Sequence, residues 1–254
     1  MILAVDAGNT NIVLGCIEAG KLTSVARMET NRKKTDYEYA VTIHQILRLG
    51  SPGTVEFEGA IISSVVPPLT EALHRAVRMV TGCDALVVGA GLRTGLNIGL
   101  DDPATMGADL VAAAVAAIAL YPAPQVIIDM GTATTMTVIA RNARVLGGAI
   151  LAGVGLATDA LVAGASLLPR IPIDPPDRCI GSNTVDAMKS GAVFGAAGAI
   201  DGMIGRIEAE LGESVTAVAT GGLASRIVPY CRHPITLNDD LLLQGLWLLW
   251  DKNA

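Results

Sequence analysis

The sequence predicts an α/β protein built from two related halves, each a mixed sheet with crossover helices. Two observations carry this. The apolar run Met1 to Val5 ends in Asp6-Ala-Gly-Asn-Thr-Asn11, and about half the chain later Val126-Ile-Ile-Asp-Met-Gly-Thr-Ala-Thr-Thr135 repeats the plan of a buried strand followed by Asp-x-Gly-(Asn/Thr). The order of elements around each copy also repeats. A meander of three strands opens both halves, and in the first half helices and strands then alternate. The halves divide near Tyr121, as residues 1–121 and 122–254, with no low-complexity linker between them.

Met1 to Val5, Asn11 to Ile17 and Lys21 to Met28 read as three strands, with Glu18-Ala-Gly-Lys21 turning between the last two. Asp36 to Leu49 reads as a helix ended by Gly50-Ser-Pro-Gly53. Ala60 to Val65 is a short strand stopped by Pro67-Pro68, and a helix follows from about Leu69 to Val80. Ala85 to Val88 is another strand. Thr105 to Leu120 reads as a helix closed by Pro122 and Pro124. Gln125 to Met130, Thr134 to Ala140 and Arg144 to Leu151 are the second meander. Thr184 to Leu211 is a long helix, and Ser214 to Ala219 is a strand running into Thr220-Gly-Gly-Leu223. In that helix Gly191, Gly195, Gly198, Gly202 and Gly205 are spaced 4, 3, 4 and 3, so they share one face. Each glycine costs about 1 kcal/mol against alanine in a helix interior. The face therefore calls for a very close backbone approach, either at a dimer interface or within one subunit.

Composition narrows the function. The net charge of −6 gives no general attraction to nucleic acid or anionic lipid. Arg32-Lys-Lys34 is the one basic run and reads as a solvated loop before a helix. Cys16, Cys83, Cys179 and Cys231 stand far apart, which argues against a zinc site or a disulfide framework and fits a reduced cytoplasm. His44, His74 and His233 are equally scattered. The apolar runs Leu110 to Tyr121, Leu241 to Leu243 and Leu246 to Trp250 are too short to span a bilayer, which takes roughly 20 residues. The expectation is a protein with no membrane and no nucleic-acid partner.

A carboxylate at a strand end, followed by a glycine turn and small polar residues, suits a phosphate-and-cation site. Glycine lets the backbone approach a phosphate with its N–H groups, and the Asp holds a cation or its water shell. Two copies predict two halves closing on one nucleotide, hence an ATP-dependent phosphotransferase. In Thr105-Met-Gly-Ala-Asp-Leu110 an acid stands at a helix start, a place where Asp is an ordinary cap or dipole partner. A kinase also needs a group to accept the proton of the attacking hydroxyl, and Asp109 is the candidate base. Thr220-Gly-Gly-Leu223 seats an adenine or ribose, or is a plain turn.

Asp6-x-Gly-Asn-Thr-Asn11, Ser63-Ser-Val-Val-Pro67, Gly107-Ala-Asp109, Asp129-Met-Gly-Thr-Ala-Thr-Thr135, Gly147-Gly148 and Gly181-Ser-Asn-Thr-Val-Asp-Ala-Met-Lys-Ser-Gly191 occur in that order. As a set, covering nearly all of the chain, they resemble the type III pantothenate kinase family. The resemblance implies an actin-like fold (the acetate kinase, sugar kinase and Hsp70 group) of two ribonuclease-H-like halves, and a homodimer built on the helix from Thr184 onward. It implies transfer of the ATP γ-phosphoryl group to the 4′-hydroxyl of pantothenate, with magnesium and a potassium or ammonium ion. On that resemblance Asp6, Ala7, Gly8, Asn9, Thr10, Asn11, Ile12, Val13 and Thr132 would hold ATP. Asp109 would be the base, Gly107, Ala108, Asp109, Leu110 and Thr184 would line the pantothenate pocket, and Asp129 would bind the monovalent cation.

The sequence departs from the family pattern at two points. Leu110 stands where the family has Arg after Gly-x-Asp, and Leu100 stands where a tyrosine precedes the Asp101-Asp-Pro103 loop. Both missing groups would help hold pantothenate, and Arg170 and Arg178 are the cations available to substitute. Two other readings therefore stay open: a kinase of this fold for another small alcohol, and a nucleotide-binding regulator without turnover.

Overall fold

A computed structural model describes residues 1–50 and 56–254. The chain divides into two compact units. One comprises Met1–Leu96, Asp101–Ala119 and Asp240–Ala254, and the other Asn97–Leu100 and Leu120–Asp239.

The first unit opens with β1 (Ile2–Ala7), β2 (Asn11–Glu18), β3 (Lys21–Glu29) and α1 (Asp36–Gly50). The predicted stop after this helix, Ser51-Pro-Gly53, lies outside the described residues. Next come β4 (Gly59–Ser64), α2 (Pro67–Thr81) and β5 (Leu86–Val87). The sheet order is β3-β2-β1-β4-β5, antiparallel across the meander and parallel beyond β1. The strand β1 is apolar at successive positions because helices cover both of its faces. Leu3 and Val5 pack with Tyr39, Ile43, Leu69 and Leu73 from α1 and α2. Ile2 and Ala4 face the opposite way, toward Val111, Ala112, Leu246 and Leu249.

Pro67 and Pro68 open α2 rather than merely stopping the strand, since a first helical turn has no use for their missing N–H groups. A two-residue strand, β6 (Asn97–Ile98), belongs to the second unit. The helix expected from Thr105 begins later, as α3 (Ala108–Leu120). Residues Pro103–Thr105 form a separate 3₁₀ turn capped by Asp102, which accepts from Ala104 N, and Met106 is extended.

The second unit contains β7 (Gln125–Met130), β8 (Ala133–Ile139), β9 (Arg144–Ala152) and α4 (Val154–Gly164). The long glycine-bearing helix is two helices, α5 (Thr184–Ser190) and α6 (Ala196–Leu211), joined by a π-helical turn at Gly191–Gly195. β10 (Thr216–Thr220), α7 (Ala224–Ile227) and β11 (Ile235–Leu237) complete the unit. Its sheet order, β11-β10-β7-β8-β9-β6, repeats the first sheet strand for strand and adds β6 at the edge. Val126, Ile128 and Met130 pack against Val193, Ala197, Ile200 and Ile204. The last helix, α8 (Leu241–Asn253), returns to the core of the first unit.

Among the described residues no helix is long and apolar enough to cross a membrane. The sequence pattern marks neither α4 nor α8 as a helix. Their apolar residues run nearly all round, so no 3.6-residue stripe marks them.

Candidate active site

The first Asp-x-Gly turn links β1 to β2. Gly8 N donates to Asn11 O at 2.9 Å, Thr30 N donates to Thr10 O at 2.9 Å, and Thr30 Oγ1 donates to Gly8 O at 2.7 Å. The turn is thus tied to the residue that follows β3. Asn9, Thr10 and Asn11 are exposed, whereas the side chains of Ala7 and Ile12 are fully buried and leave only backbone for a ligand. Asp6 pairs in register with Val13 on β2 and with Ser63 on β4, so these three share one face of the sheet. That is the face covered by α3 and α8.

Asp109 lies in the first turn of α3 at the same end of this sheet. Val65 N donates to Ala7 O at 3.1 Å, and a Cβ on Gly107 would lie 3.6 Å from Val65 Cγ1. The carboxyl ends of the parallel strands β1 and β4 therefore meet the start of α3, the edge at which open α/β sheets bind ligands. Asp109 Oδ1 accepts from Leu110 N at 2.8 Å and folds back over Gly107, where a Cβ would collide with it. Burial pushes the Asp109 carboxyl above its ordinary value, against the opposing pull of the Leu110 and Asp109 backbone N–H groups. A partly desolvated carboxylate of raised pKa at a helix start suits proton acceptance. Ser63 Oγ, on the same face, is buried without a hydrogen-bond partner among the described residues.

The second turn repeats this plan one residue shorter. Gly131 N donates to Ala133 O at 3.0 Å, and Gly153 N donates to Thr132 O at 3.1 Å. Asp129 pairs with Thr135 and Thr220, the counterparts of Val13 and Ser63. Gly221 has φ +95°, and a Cβ there would lie 2.5 Å from Asp129 Oδ1 and 2.6 Å from Met130 N. Only glycine lets the end of β10 come this close to Asp129. Among the described residues no group of three or more His, Cys, Asp or Glu is gathered as a metal site, here or elsewhere. A carboxylate beside hydroxyl and carbonyl oxygens suits a singly charged ion, or a magnesium that keeps its waters and takes phosphate oxygens as further ligands.

Thr184 opens α5 and is exposed, and the preceding Asn183 caps this helix by accepting from Asp186 N at 2.9 Å. Thr184, Ser182, Val154, Leu161 and Met188 are among the residues lining a cavity of about 720 Å³ within the second unit. Its mixed polar and apolar wall and its size are those of a small-molecule pocket. Leu110 is half-buried next to Asp109, Leu100 packs near Gly147 in the second unit, and Arg170 and Arg178 are exposed.

The first unit thus gathers Asp6 to Val13 with Gly107 to Leu110, and the second gathers Asp129 with Thr132 and carries Thr184 separately at its cavity. Two side chains near the first turn and its sheet face, Ser63 and Arg32, are not marked by the sequence pattern. Ser63 falls within Ser63-Ser-Val-Val-Pro67, where the sequence pattern marks a strand end and gives no sign of a buried hydroxyl. The Nη2 group of Arg32 donates to Asn9 Oδ1 at 2.8 Å, within the first turn.

The family model described as type III pantothenate kinase matches residues 2–206. A protein of Bacillus cytotoxicus named type III pantothenate kinase is 42% identical over 254 residues, covering 100% of this chain and 97% of the relative. Among solved structures, a putative Baf family transcriptional activator from Campylobacter jejuni aligns at TM-score 0.60 and 19% identity, over 99% of this chain and 98% of its own. A putative N-acetylglucosamine kinase from Porphyromonas gingivalis aligns at TM-score 0.55 and 12% identity, over 100% and 99%. At such identities the structural likeness bears on fold alone, and the fold is the actin-like pair of ribonuclease-H-like halves.

Proposed function

This chain belongs to the type III pantothenate kinase family and phosphorylates pantothenate with ATP, the first step of coenzyme A synthesis; from that premise we propose that Asp109 is the general base and that the two Asp-x-Gly turns hold the nucleotide. The observation that carries the reading is the meeting of the first turn, the end of β4 and Asp109 at one edge of one sheet. The backbone N–H groups of Gly8 to Asn11 and the hydroxyls of Thr10 and Thr132 take the ATP phosphates. The 4′-hydroxyl of pantothenate gives its proton to the Asp109 carboxylate as its oxygen forms a bond to the γ-phosphorus, and the bond to the ADP oxygen breaks. Proton acceptance of this kind contributes about 10²- to 10⁴-fold in rate. Magnesium, when bound with ATP, neutralises phosphate charge.

Gly107, Ala108, Leu110 and Thr184 hold pantothenate in this reading. With Leu110 in place of arginine, the acceptor loses a charged hydrogen bond worth about 1.5–3 kcal/mol, so Arg170 or Arg178 is the substitute cation. Asp129 holds the monovalent cation, an assignment supported by its place at the end of β7 beside the glycine turn and by the close approach of Gly221. The protein acts as a homodimer through the glycine face of α5 and α6. Supporting this, Gly191, Gly195, Gly198 and Gly205 are exposed, and among the described residues nothing beyond the adjoining turns of their own helix stands within 4 Å of a Cβ built on any of them. The four cysteines are unpaired, in keeping with a cytoplasmic location.

The test is ADP release from Mg-ATP in potassium and in sodium buffer, for the native protein and Asp129→Ala. The expected result is potassium stimulation that the variant loses. Equal rates in both salts, or a variant that still responds to potassium, would remove the cation role of Asp129.

A further inference from the structure

We propose that Arg32 is a further ATP-binding residue, reading the charge of the triphosphate tail from a seat on the first phosphate turn. The proposal rests on the assignment of that turn to the ATP phosphates. From Asp6 to Val13 the turn contains no Lys or Arg, and its only charged side chain is the carboxylate of Asp6. Its cation comes from outside, because Arg32 Nη2 donates to Asn9 Oδ1 at 2.8 Å.

The segment carrying Arg32 is built to hold it there. The buried Tyr39 hydroxyl accepts from Asn31 N at 3.0 Å and donates to Asn31 O at 2.7 Å. Asn31 Oδ1 in turn accepts from Lys33 N at 2.9 Å. Downstream, Thr35 and Glu38 form a reciprocal box at the start of α1, with Thr35 N donating to Glu38 Oε2 at 2.7 Å and Glu38 N donating to Thr35 Oγ1 at 3.3 Å. Upstream, Thr30 is bonded to both Gly8 and Thr10. Both sides of Arg32 are thus fixed, and little ordering remains to be done when an anion binds.

The second turn is the internal comparison. Gly153 bonds to Thr132 as Thr30 bonds to Thr10, but the chain then enters the apolar helix α4, and the next Lys or Arg in sequence is Arg170. The segment bonded to the second turn thus lacks the cation that the segment bonded to the first turn carries two residues after Thr30. Arginine offers further N–H donors beyond the one spent on Asn9, and its planar fork fits phosphate oxygens.

The test measures ATP and AMP affinity by calorimetry, and the KM for ATP, in Arg32→Gln and Gly8→Val, with unfolding temperature as a fold control. Glutamine keeps a donor for Asn9 and removes the charge. The expected result for Arg32→Gln is a rise of about tenfold in the Kd and KM for ATP at low salt, shrinking as salt is added. AMP affinity, the KM for pantothenate and the unfolding temperature should stay near the native values. An unchanged ATP Kd in Arg32→Gln, or equal losses for ATP and AMP, overturns the proposal. Gly8→Val separates the two levels: if it weakens ATP while Arg32→Gln does not, the turn assignment stands and Arg32 is idle. If neither weakens ATP, the turn assignment itself fails.

Discussion

Replacing Gly221 with alanine perturbs the second turn through a single added carbon. Two costs can be worked from the geometry. The backbone has φ +95°, and an L-residue in left-handed conformations pays about 1–2 kcal/mol. The new Cβ would also stand 2.5 Å from Asp129 Oδ1, 2.6 Å from Met130 N and 2.7 Å from Met130 C. Met130 belongs to β7, which is paired with β8 on one side and β10 on the other, so its backbone cannot yield. The end of β10 must retreat by about 1 Å to reach an ordinary contact near 3.5 Å, and overpacking of this kind costs about 1–3 kcal/mol. The sum is roughly 2–5 kcal/mol, an unfolding temperature lower by about 5–15 °C for a chain of this size. Displacing Asp129 by about 1 Å should also slow turnover by up to about 10²-fold. Differential scanning fluorimetry and steady-state kinetics measure both. Gly212→Ala is the control, since Gly212 has φ +71° with nothing within 4 Å and carries only the conformational cost. If Gly221→Ala melts with Gly212→Ala and turns over like the native enzyme, the close approach to Asp129 is not a working part of the site.

Two further outcomes follow from the same structure. Because burial raises the Asp109 carboxyl above its ordinary value of 3.8, the acid limb of kcat/KM should lie above that value, with activity rising as the group ionises, and it should vanish from the residual activity of Asp109→Asn. The folded state holds this proton more tightly than the unfolded chain, so Asp109 contributes stability at low pH that is lost as pH rises from 3.8 through the folded value. Urea titrations of native protein and Asp109→Asn across that range read the difference directly. Gly198→Ala should stabilise an isolated chain by about 1 kcal/mol through helix propensity. At a close helix–helix interface it should instead weaken association, and sedimentation equilibrium should show the dimer dissociating at higher protein concentration.

The parts legible in the sequence are those governed by local pattern. The two Asp-x-Gly turns, both meanders and the helix carrying Asp109 could be read because strand alternation, glycine turns and capping residues are short-range signals. Arg32 could not. Its neighbours mark an exposed loop, which it is, and its contact with Asn9 spans 23 positions set by the pairing of β2 with β3. Gly221 looked like one glycine of a turn, and only the register of β10 against β7 reveals how closely it approaches Asp129. The helices α4 and α8 escaped because residues that are apolar all round leave no amphipathic stripe, and the return of α8 to the first unit is decided by tertiary packing against β1. The π turn inside the glycine helix is likewise invisible to spacing, since glycines at 191 and 195 suit either helical winding.

The most direct test of the central claim compares pantothenate-dependent ADP release and ATP affinity in the native enzyme and in Asp109→Asn. Pantothenate-dependent release in the native protein, lost by about 10²- to 10⁴-fold in the variant with an unchanged ATP Kd, is the expected result. A variant that keeps its turnover within a few-fold of native would show that the proton of the 4′-hydroxyl goes elsewhere, and the proposed site would be wrong at its centre.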